Sequence, residues 1–274
     1  MSNKNDSLGD RMKTYEYVTR QYLTCKIPAI IRLDGKSFHS FPRGFKKPFD
    51  AVLINSMRDT MKYLCENIQG CVLGYTQSDE ITLILVDYQN RDSCAWFDNN
   101  IQKMASVSAS MATLAFNRAF DKYRCEFIDS VAELQDFDTE QKYLDALWKA
   151  HEKGAMFDSR VFSLPQHEVV NCLIWRQQDA TRNSIQSVGQ ANFSHKQLEG
   201  KSCSNIQDML MLEKGINWND YPTHLKRGSC CIKKPQIVQP TPESEPVVRF
   251  KWVIDNEIPI FTQDKEYVNK LVMF

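Results

Sequence analysis

The sequence predicts an α+β fold, in which helices cover an antiparallel sheet. The first observation is the order of predicted elements up to residue 165, which is strand, helix, strand, strand, helix, strand. That order is the split βαβ, or ferredoxin-like, arrangement. The second is a change after this point to helices and a β-hairpin. We therefore expect a larger N-terminal domain over residues 1–165 and a smaller helical and β-hairpin part over residues 166–274.

The first strand and the first helix are marked by their ends. Residues 28–33 (PAIIRL) are apolar and stop at Asp34-Gly35, which predicts a short buried strand. A polar, basic loop follows. Pro48 and Asp50 are typical of a helix start, and apolar residues at helical spacing continue to about residue 67.

The rest of the unit is a hairpin, a long helix and a strand. Residues 71–75 and 81–86 predict two strands, with residues 76–79 as the turn between them. A helix over about 98–120 and a strand near 155–163 complete the order. The residues of this helix expected to point inward are Ile101, Met104, Met111 and Leu114.

The later elements are less regular. Residues 126–153 are rich in acids and then helical, which indicates a helical insertion or a solvated connector. Residues 168–186 predict another helix, and residues 204–207 (SNIQ) fit a capping box for a helix that Gly215 ends. The last predicted elements are strands near 228–233 and 246–254, joined by the Pro-rich loop PQIVQPTPESEP.

Composition excludes several classes of protein. The 34 basic and 34 acidic side chains give a net charge of zero, so any nucleic-acid surface must be a local patch. No apolar run reaches membrane-spanning length, and the polar N-terminus lacks the apolar core of a signal peptide. The 9 cysteines are odd in number and scattered, which favours reduced thiols and a cytoplasmic location.

Three acids follow the predicted strands where those strands should meet. Asp34 closes the first strand, and Asp79 and Glu80 lie at the hairpin turn. In a split βαβ sheet the first strand lies beside the hairpin, so two or three of these carboxylates would converge and would need a cation. Oxygen ligands with open positions suit Mg²⁺, and a pair of such ions can promote nucleotidyl transfer. The alternative is an ordinary turn and a solvated hairpin tip.

Two other groups of residues could bind nucleotide or RNA. The loop after Asp34 is basic and could neutralise a triphosphate, and it also carries two rings that could stack on a base. These residues are Arg32, Lys36, Arg43, Lys46 and Lys47, with Phe38 and His39 as the rings. On the later helix, Arg176, Asp179 and Asn183 share one face and could contact a base or a phosphate. The alternatives are an ordinary surface loop and a solvated helix face.

A family resemblance runs through ordered motifs from about residue 11 to residue 255. The strongest are RLDGKSF (32–38), GYTQSDE (74–80) and WRQQDATRNSI (175–185). Further motifs are KKPFD, FDSR, FSHKQLEGKS, GINWND and KRGS. The chain resembles the tRNA-His guanylyltransferase superfamily, and more specifically its guanylyltransferase-like branch of 3′–5′ RNA polymerases.

The resemblance implies a polymerase-palm-like fold and an enzyme that adds nucleotides to the 5′ end of tRNA. ATP or GTP would first activate a 5′-monophosphate, and two Mg²⁺ ions would serve both steps. It assigns metal binding to Asp34, Asp79 and the Gly35 carbonyl, with Glu80 as the neighbouring catalytic acid. The predicted nucleotide-binding residues are Arg32, Lys36, Ser37, Phe38, His39, Lys47, Ser78, Lys103 and Ser106. The predicted RNA-binding residues are Arg176, Asp179, Arg182, Asn183, Lys226 and Arg227.

One departure from the family pattern bears on the substrate. Eukaryotic members carry His-Ile-Asn-Asn-Leu-Tyr-Asn where this chain reads EVVNCLI, residues 168–174. The chain is more similar to the members that repair 5′-truncated tRNAs by copying the opposite strand. We therefore expect truncated tRNA and nucleoside triphosphates as partners, and the family resemblance implies a homotetramer. The alternatives are a dedicated tRNA-His guanylyltransferase, a palm-type nucleotide cyclase and a non-catalytic RNA-binding protein.

Overall fold

The computed structural model describes residues 7–135, 137–239 and 246–273. A single antiparallel sheet has the strand order β4-β1-β3-β2-β5-β6. Its strands are β1 (Ala29–Gly35), β2 (Cys71–Gln77), β3 (Glu80–Leu85), β4 (Phe157–Ser163), β5 (Ser229–Val238) and β6 (Val247–Asp255). The helices are α1 (Ser7–Tyr17), α2 (Ala51–Asn67), α3 (Ile101–Leu134), α4 (Phe137–Lys153), α5 (Val169–Asn192), α6 (His195–Leu198), α7 (Cys203–Lys214), α8 (Thr223–Arg227) and α9 (Glu266–Asn269). The predicted α+β, split βαβ fold is confirmed.

Strand β1 is the centre of the split βαβ unit because it pairs with both β3 and β4. Its side chains alternate between two layers. Ile31 and Leu33 are buried with α2 and α3, whereas Ile30 is buried with α5 on the other face. Asp34 therefore projects on the α5 side, near the end of the strand, and is only partly buried.

The hairpin turn is tighter than expected. Strand β2 continues through Gln77 and β3 begins at Glu80, so the turn contains only Ser78 and Asp79. Ser78 adopts a left-handed conformation with φ 50°. The expected four-residue turn is wrong because Thr76 and Gln77 keep their pairing with β3.

Helix α2 begins where the sequence indicates. Asp50 is its N-cap, and the Asp50 carboxylate accepts a hydrogen bond of 2.9 Å from the Leu53 N–H. Met57, Met61 and Leu64 are fully buried against the sheet. Helix α2 therefore fixes the end of the basic loop relative to the core.

The segment 126–153 is helical and packs against the core, so it is not a solvated connector. Helix α3 continues to Leu134, and α4 packs back on it, burying Tyr143 and Leu147 in the same core as Phe116. Within α3, the inward stripe follows a four-residue spacing. Its members are Met104, Ser108, Ala112, Phe116 and Phe120. Leu114 lies off this stripe and is exposed, contrary to expectation.

The second half of the chain completes the same sheet. Strand β5 pairs with β2, and β6 extends the sheet further. Helix α5 covers the face opposite α2 and α3, with Leu173 buried. Strand β5 is longer than predicted, whereas β6 has the predicted length and is shifted by one residue. Residues 240–245 of the expected Pro-rich loop lie outside the described residues. Across the described ranges, no helix is both long and apolar enough to span a bilayer.

The predicted helix ending at Gly215 is α7, but its start differs. Its N-cap is Ser202, whose hydroxyl accepts a hydrogen bond of 3.2 Å from the Asn205 N–H. The predicted capping box at 204–207 is therefore two residues late. Gly215 ends the helix in a left-handed conformation with φ 67°.

Replacing Leu147 tests whether α4 belongs to the core. Leu147→Ala should lower the free energy of unfolding by roughly 2–4 kcal/mol, because it leaves a cavity between α3 and α4. Leu134→Ala is the control, since Leu134 is 78% exposed, and it should change stability by less than about 0.5 kcal/mol. Urea unfolding measures both. Equal small effects would contradict the packing of α4.

Candidate active site

Two carboxylates meet at one end of the sheet. Asp34 lies opposite Glu80 in the pairing of β1 with β3. One residue further, the Gly35 N–H donates a hydrogen bond of 3.1 Å to the Asp79 carbonyl. These backbone contacts place the end of β1 against the hairpin turn. The predicted convergence of Asp34 and Asp79 is thus found in the structure.

The site concentrates negative charge. Burial raises the pKa of Asp34 from its ordinary value, and repulsion from Asp79 and then Asp158 raises it further, against Arg160 and Arg32. Burial also raises the pKa of Asp79, although the Ser78 hydroxyl donates a hydrogen bond of 2.9 Å to its carboxylate. A cation would relieve this repulsion.

Glu80 does not join the other two acids. Its carboxylate accepts a hydrogen bond of 2.8 Å from Arg176, and both side chains are buried. Burial raises the pKa of Glu80, and Arg176 opposes that shift. Of the two or three acids expected to converge, two therefore remain without a charged partner at hydrogen-bond distance among the described residues, because Arg176 neutralises Glu80.

The donor set fits hard cations that also bind substrate. Among the residues that the structure describes, no group of three or more His, Cys, Asp or Glu side chains is placed to hold a metal ion. Mg²⁺ is commonly bound by one or two carboxylates, with water and substrate phosphates completing its shell. Asp34, Asp79 and the Gly35 carbonyl meet that pattern.

The loop after β1 divides into exposed and buried residues. Lys36, Ser37, His39 and Lys47 are exposed, as nucleotide contacts require. Phe38 is 5% exposed and packs on Gly35, where a Cβ atom would lie only 2.3 Å from its ring. The prediction that Phe38 stacks on a base is therefore not supported, because its ring is part of the core. Its position also explains why residue 35 is glycine.

Lys103 and Ser106 are not brought to the carboxylates. Helix α3 comes near the carboxylate end of the sheet only at Thr113, which accepts a hydrogen bond of 3.2 Å from the Phe157 N–H. Lys103 lies about 15 Å of helix before that point. Moreover, α3 packs on the face of the sheet opposite Asp34. The predicted triphosphate contacts of these two residues are corrected on these grounds.

Two residues near the carboxylates were missed. The pairing of β1 with β4 places Asp158 beside Asp34, and Arg160 beside Arg32. Both lie in the FDSR motif, which the sequence analysis noted without assigning a role. Only the register of β4 shows that they reach the site. Arg160 also lies 3.7 Å from Asp158 and partly offsets its charge.

A cavity of about 280 Å³ opens beside the carboxylates. Ser78 and Lys47, both predicted nucleotide contacts, line it. Helix α5 contributes Asn183, and α8 contributes His224 and Lys226. The walls of the cavity come from four separate segments of the chain, so no sequence pattern predicts it.

The predicted RNA-binding residues fall into two groups. Arg182 donates a hydrogen bond of 2.7 Å to Asp179, and both Arg182 and Asn183 are exposed on α5. Arg176, by contrast, is the interior partner of Glu80. Lys226 is also buried, and its ammonium donates to the Asn219 carbonyl. Direct RNA contact by Arg176 and Lys226 is therefore not supported.

The remaining predicted contact, Arg227, is only partly exposed. Its carbonyl accepts a hydrogen bond of 2.6 Å from the Tyr75 hydroxyl, which ties the start of β5 to β2. The side chain remains a predicted RNA contact.

Comparisons with known proteins now decide the family. A family model described as tRNA-His guanylyltransferase matches residues 9–165, which is more than half of the chain. The chain belongs to the tRNA-His guanylyltransferase family. It is accordingly a nucleotidyltransferase, and the resemblance seen in its motifs is confirmed.

Solved structures show how far the likeness to this guanylyltransferase-family chain extends. A bacterial tRNA-His guanylyltransferase-like protein in complex with ATP is 44% identical, with TM-score 0.79, covering 97% of this chain and 99% of that one. A second such structure, in complex with GTP, is 40% identical, with TM-score 0.76 and coverages of 98% and 100%. The probable tRNA-His guanylyltransferase of Dictyostelium discoideum is 26% identical over 238 residues, covering 81% of this chain and 82% of that protein.

The charge repulsion predicts a stabilising substitution. The pKa values of Asp34 and Asp79 in the folded protein exceed the ordinary value of 3.8, so the folded state favours their protonated forms. The stability that this preference contributes is fully present below about pH 4. It is lost as pH rises through the raised values. Asp79→Asn should therefore stabilise the metal-free protein at pH 7 by roughly 1 kcal/mol. Urea unfolding at pH 7 in chelator measures this, and a less stable variant would contradict it.

The buried ion pair predicts a non-additive double variant. Arg176→Ala leaves the Glu80 charge unpaired in the interior and should cost roughly 3–5 kcal/mol of unfolding free energy. Adding Glu80→Gln should recover a substantial part of that loss. Urea unfolding of the wild type, both single variants and the double variant completes the cycle. Independent, additive losses would show that the two side chains do not interact.

Proposed function

We propose that the chain repairs tRNA by adding nucleotides to a truncated 5′ end in the 3′–5′ direction, using the opposite strand as template. The single observation that carries the proposal is the convergence of Asp34 and Asp79 next to a residue that lines a cavity. Ser78 links the two features, because it lines the cavity and hydrogen-bonds Asp79. Family membership supplies the class of reaction.

The reaction has two transfers. In the first, an oxygen of the RNA 5′-monophosphate attacks the α-phosphorus of ATP or GTP, and pyrophosphate leaves. In the second, the 3′-hydroxyl of the incoming nucleoside triphosphate attacks the activated 5′ phosphorus, and the nucleoside monophosphate leaves. Both transfers gather negative charge at one place, so both need cations held in position.

The residues of this chain supply the positions. Asp34, Asp79 and the Gly35 carbonyl would hold two Mg²⁺ ions, which, when bound, offset phosphate charge and polarise the reacting oxygens. Lys47, at the cavity, can neutralise the triphosphate. Arg32 and Arg160 lie opposite each other in the β1–β4 register, two residues from the Asp34–Asp158 pair. Glu80 acts indirectly, by anchoring α5 through Arg176.

The cavity is the proposed site of the activating nucleotide. Its walls combine apolar α2 side chains, Leu53 and Met57, with the hydroxyl and amide groups of Ser184 and Asn183 on α5. Apolar walls with a few polar groups are typical of sites for a base. The similar bacterial proteins in complex with ATP and GTP support nucleotide binding by this fold.

Repair is favoured over dedicated guanosine addition by the helix that follows β4. This chain has Glu168 where the eukaryotic motif places its histidine, and the Glu168 carboxylate accepts a hydrogen bond of 3.2 Å from Asn171, which keeps the motif's second asparagine. That departure supports a broader choice of RNA. Dedicated addition of one guanosine to tRNA-His is the alternative.

Two further parts of the proposal concern the state of the protein. A cytoplasmic location is supported by the 9 cysteines, all of them free thiols. A homotetramer is supported by exposed apolar residues on the β5–β6 hairpin, among them Ile237, Val248 and Phe250, which another subunit could cover.

Sequencing of extended products tests the function. A panel of 5′-monophosphorylated tRNAs lacking one or two nucleotides is incubated with ATP, Mg²⁺ and all nucleoside triphosphates. We expect 5′ additions that complement the opposite strand. Invariant guanosine, irrespective of that strand, would establish the alternative, and no extension of any tRNA would refute the proposal.

The matched variant for this assay is Asp34→Asn, which keeps the shape of the side chain and removes its charge. It should lower the rate at least about a thousandfold, because the metal site loses a ligand. Extension at the wild-type rate would refute the metal assignment.

A further inference from the structure

We propose that Trp175 is the platform on which the 5′-terminal base of the RNA acceptor stacks. The inference rests on the proposed function, since it assigns a position to the RNA end that the carboxylates act on.

Trp175 is placed at the carboxylate end of the sheet but lies outside the apolar core. It lies on α5, next to Arg176, and is 49% exposed. It is absent from the buried clusters formed by the described residues, whereas Leu173 provides the core contact of this part of α5. The Arg32 guanidinium lies 5.4 Å from the centroid of the indole ring. Arg32 is two residues before Asp34 on the same face of β1.

The position separates Trp175 from the nucleotide cavity. The cavity is walled by the end of β2 and by the part of α5 around Asn183 and Ser184, about two turns beyond Trp175. Trp175 instead lies beside β1, and β3 separates β1 from β2 in the sheet. When a nucleotide fills the cavity, the β1 side of the carboxylates is the approach left for the RNA 5′ end.

The local chemistry suits a nucleic-acid end. Aromatic rings combined with arginines bind bases of any sequence by stacking, which suits an enzyme that accepts many 5′ ends. Arg32, with Arg160 beside it in register, can contact the adjoining 5′ phosphate. The Arg176 guanidinium lies 3.5 Å from the ring centroid and covers part of the indole. The base would stack on the exposed remainder.

The test is a double-mutant cycle between the protein and the RNA. Dissociation constants are measured without nucleotide, at fixed salt, for a 5′-monophosphorylated tRNA and for the same tRNA with an abasic 5′-terminal residue. Trp175→Ala should weaken binding of the intact tRNA about 10- to 100-fold. The abasic residue should weaken wild-type binding similarly, and the two changes together should cost little more than either alone.

Two controls separate stacking from structure. Trp175→Phe keeps an aromatic face and should retain most of the affinity. Trp148→Ala removes another exposed indole, which is 55% exposed on α4 and 5.3 Å from the Arg124 guanidinium, and should leave binding unchanged. Thermal melting of each variant verifies folding. If the alanine variant unfolds, Trp175→Leu, which keeps an apolar side chain but has no aromatic face, takes its place in the cycle.

Three outcomes would overturn the inference. They are additive losses from Trp175→Ala and the abasic residue, unchanged affinity in Trp175→Ala, and a raised KM for ATP with unchanged tRNA affinity. The proposed function fails separately. If the wild type binds tRNA with the expected coupling but never extends a 5′ end, the stacking platform stands and the repair activity does not.

Discussion

The pairing of β1 with β3 is the constraint on which the rest of the site depends. It carries Asp34 to a hairpin turn that lies far along the chain, and the Gly35 N–H fixes the last step by binding the Asp79 carbonyl. The register is enforced by burial. A slip of one residue would turn Leu33 out of the core and Asp34 into it, because neighbouring side chains face opposite layers.

The same region shows how environment assigns different roles to adjacent acids. Asp79 and Glu80 are neighbours, yet only Glu80 reaches the buried guanidinium of Arg176. That pairing removes one charge from the cluster and anchors α5 to the sheet. The other charge is left beside Asp34, where no described lysine or arginine forms a direct ion pair with either aspartate. The two aspartates therefore repel each other, and a bound cation would relieve that repulsion.

Much of this arrangement could be predicted from sequence, and the failures have physical causes. The order of elements and their end signals gave the sheet and the convergence of Asp34 with Asp79. A solvated connector was one expectation for segment 126–153, and it was wrong because the few core residues there, such as Leu147, are separated by charged ones in the sequence. Phe38 was placed by its proximity to Asp34 in sequence and Lys103 by the family resemblance, but which face of the sheet a residue reaches depends on tertiary packing. Arg160 required the β4 register.

The basic loop after β1 has a further consequence for binding. Phe38, Phe41 and Phe45 insert into the core between α3 and α4 at intervals along the loop, with the Phe38 and Phe41 rings stacked 4.8 Å apart. The exposed lysine side chains of this loop are therefore attached to a backbone that is already ordered in the folded protein. Capturing a triphosphate then restricts only side-chain rotamers, so most of the ordering entropy is spent before the ligand arrives.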